Sequence, residues 1–536
     1  MSAATRLRRL DEQAEITVYE MGEHVSYANC GLPYFVSGVI DQREDLLLQT
    51  PGSLNARFRL NVKVRHRVLS IDAKAKTVSV QNLDTQEIFE DSYDNLVLAT
   101  GAKPRMPDVA GIERALSLRD VTDVDSLKDA LAKAPVQTVA IIGGGFVGIE
   151  LAENIRKLGF GVTVVQRDRQ ILGGFDIEMI EPLQQRLIHE GIALALGASI
   201  VEITKDEIIL ASGERVSAGV VIAAAGVTPD NQLAEAAGLK IGETGGLWVD
   251  SQQRTSDPSI FAAGDAVEKH GQLTGEQTLI PLANLANRHG RLIADAIAGL
   301  EVSAQNSIGT IIIGAFGLAA GMTGLSERAA IREGIPFKAI HLHPSSHAGY
   351  YPGAKRLSLK VLFHPENGAI LGAQAIGEDG VDKRIDVLAT AIFAGLKIDD
   401  LMDLELAYAP QFGSAKDAIN QAGYVGNNVF TGRTPTVQWH ELIDSLASGA
   451  VLVDVRTERE HADGHIDGSL NIPVDQLRES LDSLAGKRVV VHCQVGQRGH
   501  TATQILRGHG IEASNLDGGY ITWAYGQGAI RRAKGN

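Results

Sequence analysis

Apolar residues alternate with polar ones, or run together in short blocks, along most of the chain. Ile16–Tyr19, Val62–Val68 and Thr77–Gln81 read as strands, and Thr138–Ile142, Gly161–Val165 and Val220–Val227 as more deeply buried ones. Helices are predicted over Met1–Leu10, Ile149–Leu158, Pro281–Ala298 and Gly499–Arg507, and further strands within Gly309–Leu318, over Ser358–Leu362, Val451–Arg456 and Arg488–Val491. Strands interleaved with helices make this an α/β chain. The polar segment Val425–Pro435 reads as a linker, with a separate module after it. The apolar runs Ala218–Val227 and Ile308–Met322 are too short, or too broken by glycine, to span a bilayer.

A length of 536 residues with 44% hydrophobic positions implies several packed domains. Fifty-eight glycines against sixteen prolines point to many tight turns rather than disordered linkers. A net charge of −15 without a long basic run argues against nucleic acid or an anionic membrane as the main partner. Two cysteines cannot make a disulfide framework, so a reducing, cytoplasmic compartment is expected. No metal-ligating cluster stands out.

The candidate chemistry lies at four turns. Ser26-Tyr27-Ala28-Asn29-Cys30-Gly31-Leu32-Pro33-Tyr34 follows the first strand, where the chain turns and a helix begins. Amides at such a start favour a thiolate, whereas a lone cysteine elsewhere is a small buried hydrophobe. Gly143-Gly144-Gly145-Phe146-Val147-Gly148 follows a strand, opens a helix and leads to a second strand, the context a G-x-G-x-x-G loop needs to cradle a pyrophosphate. Gln166-Arg167-Asp168-Arg169 comes next: the arginines suit a 2′-phosphate and Asp168 a ribose hydroxyl, so NADH and NADPH both stay open. The last turn is His492-Cys493-Gln494-Val495-Gly496-Gln497-Arg498, between a strand and a helix.

The flanks of Cys30 resemble the active-site segment of the pyridine nucleotide–disulfide oxidoreductase family. They are closest to its single-cysteine branch of coenzyme A disulfide reductases, persulfide reductases, and NADH oxidases and peroxidases. The dithiol branch has a second cysteine five residues on; here that position is Phe35, so the redox partner of Cys30 comes from outside. The resemblance implies two dinucleotide-binding (Rossmann-like) domains, an α+β dimerisation domain and a C-terminal α/β rhodanese domain. Their expected extents are 1–105 with 236–305 for FAD, 106–235 for NAD(P)H, 306–429 for dimerisation and 434–536 for rhodanese. The first strand and glycine loop of the FAD domain are missing, which the resemblance reads as a misassigned start.

Within that frame Glu20 is expected on a ribose of the dinucleotide, with Thr100-Gly101 and Ala225-Gly226 at strand ends where backbone approaches cofactor. Gly143, Gly145 and Gly148 are expected on NAD(P)H, and Gly226 at a cofactor-lining strand end. Gly264-Asp265 resembles the motif that holds the ribityl chain of FAD, and Ala283 opens the helix that approaches the flavin ring. Tyr350, Tyr351 and Tyr408 stand where family dimers bring tyrosines to the partner's cysteine; Tyr408 and Tyr351 are the ones expected to act. Residues 434–536 resemble a rhodanese domain, whose loop amides and helix start surround a persulfide at Cys493, with Arg498 fixing the loop or adding charge. A tyrosine-phosphatase loop places arginine six residues after its cysteine; here it is five, which favours sulfur over phosphate.

Both cysteines thus sit in sulfur-handling motifs. The resemblance implies a homodimeric, FAD-dependent NAD(P)H:persulfide or polysulfide reductase that uses coenzyme A-type thiols and small-molecule substrates. Cys30, Asn29 and Ser26 form its active segment, and Arg8 and Arg9 are candidates for coenzyme A phosphates. The alternatives are a coenzyme A disulfide reductase, a peroxidase or oxidase cycling Cys30 through sulfenic acid, or a non-catalytic sulfur carrier that binds no FAD.

Overall fold

The computed structural model describes residues 1–134 and 136–534. The chain forms two compact units, Met1–Val165 with Ala198–Ser307, and Gln166–Gly197 with Ile308–Asn536.

In the first unit the helix Ser2–Leu10 packs on the helix Ala283–Ile297, so closely that a Cβ on Gly290 would fall 2.9 Å from Ser2 Cβ. The strand Thr17–Tyr19 pairs in parallel with Asn61–Lys63, and Leu96–Leu98 with Ile260–Ala262. Val62–Val68 is not one strand as its alternation suggested. It breaks at Arg65, whose φ of +54° turns the chain between Asn61–Lys63 and His66–Asp72. The second nucleotide motif is built on Thr138–Ile142, flanked by the parallel strands Gly161–Gln166 and Val220–Ala223. Beyond Thr138 this strand is wholly apolar and buried, as a central parallel strand must be. Ala102–Pro104 and Val227–Pro229 run antiparallel, zipping together the two chain segments that leave the strand ends at Gly101 and Gly226.

The second unit centres on an antiparallel five-stranded sheet in the order Ile311–Ala315, Leu318–Gly324, Ile370–Gly377, Leu357–Phe363, Lys338–Leu342. The helix Val381–Ala394 covers one face, with Ile385 and Val381 against Gly321. The C-terminal module is a parallel five-stranded sheet in the order Thr436–Val437, Glu512–Leu516, Arg488–His492, Val451–Asp454, Leu470–Asn471.

The linker expected over Val425–Pro435 is corrected by the structure. The helix Ala418–Phe430, capped by Asp417 through the Ile419 N–H, runs through most of it and leaves only 431–435 before the next strand. Its glycines serve close packing: a Cβ on Gly423 would fall 2.5 Å from Met402 N, and one on Gly426 would fall 2.1 Å from Ile398.

The C-terminal module is docked rather than tethered. Its last helix, Gly519–Ala533, packs on the helix Ile177–His189, and Arg532 Nη2 reaches the buried Glu181 at 2.7 Å. Beside this contact lies a buried ionic cluster. Lys360 is inaccessible on its sheet strand and pairs with Asp176 at 2.8 Å, Glu327 at 3.0 Å and Glu178. Burial pulls this ammonium down, but the three carboxylates outweigh it and hold Lys360 charged.

Candidate functional site

Cys30 stands on the single turn Asn29–Gly31, which runs into the short helix Leu32–Ser37 with Pro33 in its first turn. The turn is fixed from behind. Ala28 N–H donates to Leu46 O at 2.8 Å, and Gly31 packs tightly, since a Cβ on it would fall 3.0 Å from Leu46 Cδ2 and 3.1 Å from Ile40 Cδ1. Asn29 Oδ1 accepts from Cys30 N–H at 3.0 Å, and Ser26 lies on the strand Ser26–Tyr27 that leads in. Cys30 is exposed. Partial desolvation of the thiol, then the carboxylates of Glu150 and Asp265, push it up, and its own backbone N–H opposes them less strongly. The helix is only six residues long, so its amides add little.

Two residues beside Cys30 were not singled out in the sequence. Tyr34 Oη donates to Glu150 Oε1 at 3.2 Å, and Glu150 follows the glycine loop by two positions on the helix Phe146–Lys157. Burial pushes the Glu150 carboxyl up. A helical spacing of four from Cys30 to Tyr34 was the available signal.

The three glycines of the nicotinamide motif do different jobs. Gly143, at φ +112°, could not carry a Cβ, which would fall 2.3 Å from Ala224 O. Gly148 lies so close to the turn that its Cβ would fall 2.0 Å from Gly143 O. Gly145 faces open space and caps the helix without any side-chain acceptor, leaving the helix amides for a ligand. Gln166 Nε2 donates to Asp168 Oδ2 at 3.3 Å, and Arg167 and Arg169 are exposed.

On the other motif, Gly264 at φ +77° starts the turn Gly264–Ala266 beyond the strand Ile260–Ala262. Asp265 is half-buried and makes no hydrogen bond among the described residues; burial pushes its carboxyl up, against the pull of Lys269 and Arg119. Such an acceptor suits ligand hydroxyls. Lys269, lowered to about 8 by burial despite Asp265, is held by Gly264 O at 2.6 Å and Val267 O at 2.9 Å. Thr100 Oγ1 donates to Asp230 O at 2.7 Å, and Gly101 and Gly226 both take positive φ with open space where a Cβ would be. Ala283 opens its helix with no side-chain cap, and Glu20, just after its strand, has Oε1 accepting from Gly22 N–H at 2.7 Å.

Arg8 is corrected. It is buried, and its guanidinium donates to four carbonyls, Phe58, Asp11, Glu12 and Arg59, at 2.8 to 3.3 Å. Four of its five N–H groups are thereby taken, leaving one on Nη2, too few for the paired grip a phosphate needs. Arg9 is exposed and lies over the Phe58 ring at 5.1 Å. Arg8→Ala is expected to lower stability by about 2 kcal/mol or more through unpaired carbonyls, with KM for coenzyme A substrates unchanged. A raised KM at an unchanged melting temperature would restore the phosphate role.

In the second unit, Arg384 is buried and bonds Ser346 O at 2.9 Å and Asp417 Oδ2 at 2.7 Å, while Ala348 N–H reaches Gly413 O at 2.9 Å. These bonds lace together the two tyrosine loops. The partner of Tyr408 is Tyr350, not Tyr351: their hydroxyls are 3.1 Å apart, and Tyr351 instead stacks edge-on against His347 at 5.7 Å. Nothing in the sequence separates two adjacent tyrosines. Both members of the pair are exposed beside a cleft of about 460 Å³ that Lys383, Arg384, Tyr408 and Phe412 line.

Cys493 directly follows the strand Arg488–His492 and is fully buried. Gly496 N–H donates to its Sγ at 3.2 Å, at the start of the helix Gln497–Gly508. Arg498 faces this sulfur and is gripped by both oxygens of Glu460 at 2.6 and 2.7 Å, a bond that lowers the Glu460 carboxyl to about 2. Glu460 is itself fixed by a capping box with Thr457. Asp454, lowered to about 2 against the effect of burial, anchors Arg456, whose Nη1 donates to Gln494 in the loop at 3.0 Å.

Three family patterns match the chain: pyridine nucleotide-disulphide oxidoreductase over residues 1–290, the dimerisation domain of that family over 313–419, and a rhodanese-like domain over 438–525. A coenzyme A disulfide reductase of Staphylococcus aureus (strain bovine RF122 / ET3-1) is 33% identical over 426 residues, 79% of this chain and 96% of that protein. The crystal structure of reduced Bacillus anthracis CoADR-RHD superposes with a TM-score of 0.97 at 40% identity, covering 99% of this chain and 96% of that one. A NAD-dependent persulfide reductase from A. fulgidus does so at 0.91 and 34%, covering 97% of each. Among the described residues no helix is long and apolar enough to cross a membrane.

FAD and NAD(P)H are the characteristic cofactors of this group. The residues present fit them: an open Gly145 beneath uncapped helix amides for a pyrophosphate, and an Asp265 carboxyl with no hydrogen-bond partner among the described residues for hydroxyls. With its flavin and nicotinamide motifs, its dimerisation sheet and its rhodanese-like module, the chain belongs to the pyridine nucleotide-disulphide oxidoreductase family and is an oxidoreductase.

Proposed function

We propose that this enzyme reduces coenzyme A persulfide or related sulfane sulfur at the expense of NAD(P)H, releasing sulfide, with sulfur transfer through the rhodanese module. The observation that carries the reading is the placing of the two cysteines. Cys30 is exposed on a turn with no second cysteine, and Cys493 is enclosed by a loop whose Gly496 amide meets its sulfur. Likeness to a coenzyme A disulfide reductase and to a persulfide reductase supports both halves.

Gly143, Gly145 and Gly148 would hold the nicotinamide dinucleotide; Glu20, Thr100, Gly101, Gly226, Gly264, Asp265 and Ala283 would line FAD. Bound FAD supplies the two-electron link between nicotinamide and sulfur. The Cys30 thiolate attacks the inner sulfur of the persulfide, forming a mixed disulfide with coenzyme A and expelling hydrosulfide. Two electrons from NAD(P)H then split that disulfide, returning the Cys30 thiolate and freeing the coenzyme A thiol. Asn29 holds the backbone of the attacking residue, and Ser26 lies on the strand leading to it. The protein works as a cytoplasmic homodimer in which Tyr408 of the partner subunit, its hydroxyl held by Tyr350, donates a proton to the departing sulfur.

Anaerobic NADH and NADPH oxidation with coenzyme A persulfide, coenzyme A disulfide and peroxide in turn tests this. Persulfide is expected to be the fastest acceptor; coenzyme A disulfide as the best one makes the rhodanese module an accessory. The shared site is tested by mixing Cys30→Ser and Tyr408→Phe chains, each impaired alone. Activity is expected to return as labelled subunits exchange, and exchange without recovery places Tyr408 outside the site.

A further inference from the structure

The short segment Asp517–Tyr520 lies between the dimerisation sheet and the Cys493 loop. On one side, Asp517 Oδ2 accepts from the His341 backbone N–H at 2.9 Å and stands 2.6 Å from His341 Nδ1. Gly518, at φ +65°, abuts the same histidine, and a Cβ on it would fall 2.7 Å from His341 Cβ. On the other side, Gly519, at φ +66°, abuts the loop: its Cβ would fall 2.5 Å from Cys493 O and 2.9 Å from Gly496 N. Tyr520 N–H donates to Cys493 O at 2.8 Å, and Ile521 N–H to Gln494 O at 3.2 Å. A bare backbone turn is therefore all that separates His341 from the loop whose Gly496 amide meets the Cys493 sulfur.

His341 is itself immobile. Its Nε2 lies 3.1 Å from Glu178 Oε1, and Glu178 is bonded to the buried Lys360, which also faces Asp176 and Glu327. Burial pulls the imidazole down, but its bonds to Asp517 and Glu178 outweigh burial and the charge of Lys360 and hold it at about 9. His343, lowered to about 3 by burial and then by the His341 charge, sits neutral between Ser358 and Thr522 at 2.8 Å from each. The anchor is therefore complete at neutral pH. Because the folded value is raised, its contribution is lost as pH rises through about 9.

We propose that His341 is a positioning residue for sulfur transfer at Cys493, setting the loop's carbonyl and amide geometry through Asp517 and the Gly518-Gly519 turn. This rests on the reading of Cys493 as the sulfur carrier. It makes the dimerisation sheet a working part of the rhodanese site.

The test uses the full chain. Sulfur transfer is read as thiocyanate formed from thiosulfate and cyanide, and thiol reactivity as iodoacetamide incorporation in a Cys30→Ser background, where Cys493 is the sole cysteine. The parent is expected to show a break in its alkylation–pH profile near 9, beyond the thiol's own titration. His341→Gln and Asp517→Asn should each remove that break and lower thiocyanate formation about tenfold or more, as misplacement of a reacting group does. Glu181→Gln is the control: it breaks the Arg532 contact between the same two domains and should lower the melting temperature alone. Equal loss of transfer in Glu181→Gln, or a break that persists in His341→Gln, overturns the proposal. Thiocyanate formation surviving Cys493→Ser sinks the carrier reading instead, while the alkylation profile still judges His341 by itself.

Discussion

Cys30→Ser is expected to abolish NAD(P)H turnover with every sulfur acceptor, a fall of about 10⁴-fold or more. The reason is covalent. Phe35 occupies the position of a second active-site thiol, and Cys493 is fully buried within its own loop, so neither can take over the attack. A serine hydroxyl at residue 30 would keep the turn, since Asn29 bonds the backbone N–H rather than the side chain. The protein should therefore fold and take up cofactor as before, which makes the loss chemical. Steady-state rates at matched flavin content check it. Persulfide reduction within tenfold of the parent would move the reductive site away from Cys30.

Cys493→Ser should divide the acceptors into two groups. Coenzyme A persulfide presents its sulfur directly to Cys30, so its reduction is expected to survive. Polysulfide or elemental sulfur must first be captured by the loop that surrounds Cys493, and its use should drop by more than the tenfold that about 1.4 kcal/mol represents. The loop geometry favours a clean result: Gly519 and Tyr520 hold the Cys493 carbonyl, not its side chain, so serine leaves the backbone where it was. Rates for both acceptor kinds, on parent and variant, decide it. Unchanged polysulfide reduction would remove the rhodanese module from sulfur delivery.

The chemistry-bearing turns were legible because local sequence dictates them. Gly143–Gly148 and the Cys493 loop each need glycine or backbone amides at fixed offsets, and no distant residue is required to recognise them. Two errors came from composition standing in for packing. The polar run Val425–Pro435 suggested a linker, yet the helix Ala418–Phe430 runs through its first half and packs Gly426 against Ile398. Arg8 was a candidate for a phosphate, but two carbonyls just beyond its own helix and two more some fifty residues away surround it. Long-range pairs were out of reach altogether. His341 and Asp517 are 176 residues apart, and neither carries a local signature that names the other.

The buried cluster beneath the rhodanese module also bears on how such chains are inherited. Excising the module after Phe430 would strip His341 of Asp517, leaving an imidazole among Glu178 and Lys360 with half its support gone. The fusion is then not a detachable cassette, because residues 178, 341 and 517 form one ionic unit written across three segments of the chain. Relatives that share the dimerisation sheet but end before a rhodanese module should have replaced the residue at 341 with one that cannot ionise. Those that keep the module should hold the histidine and the aspartate together, and losing one should be tolerated only when the other is lost with it.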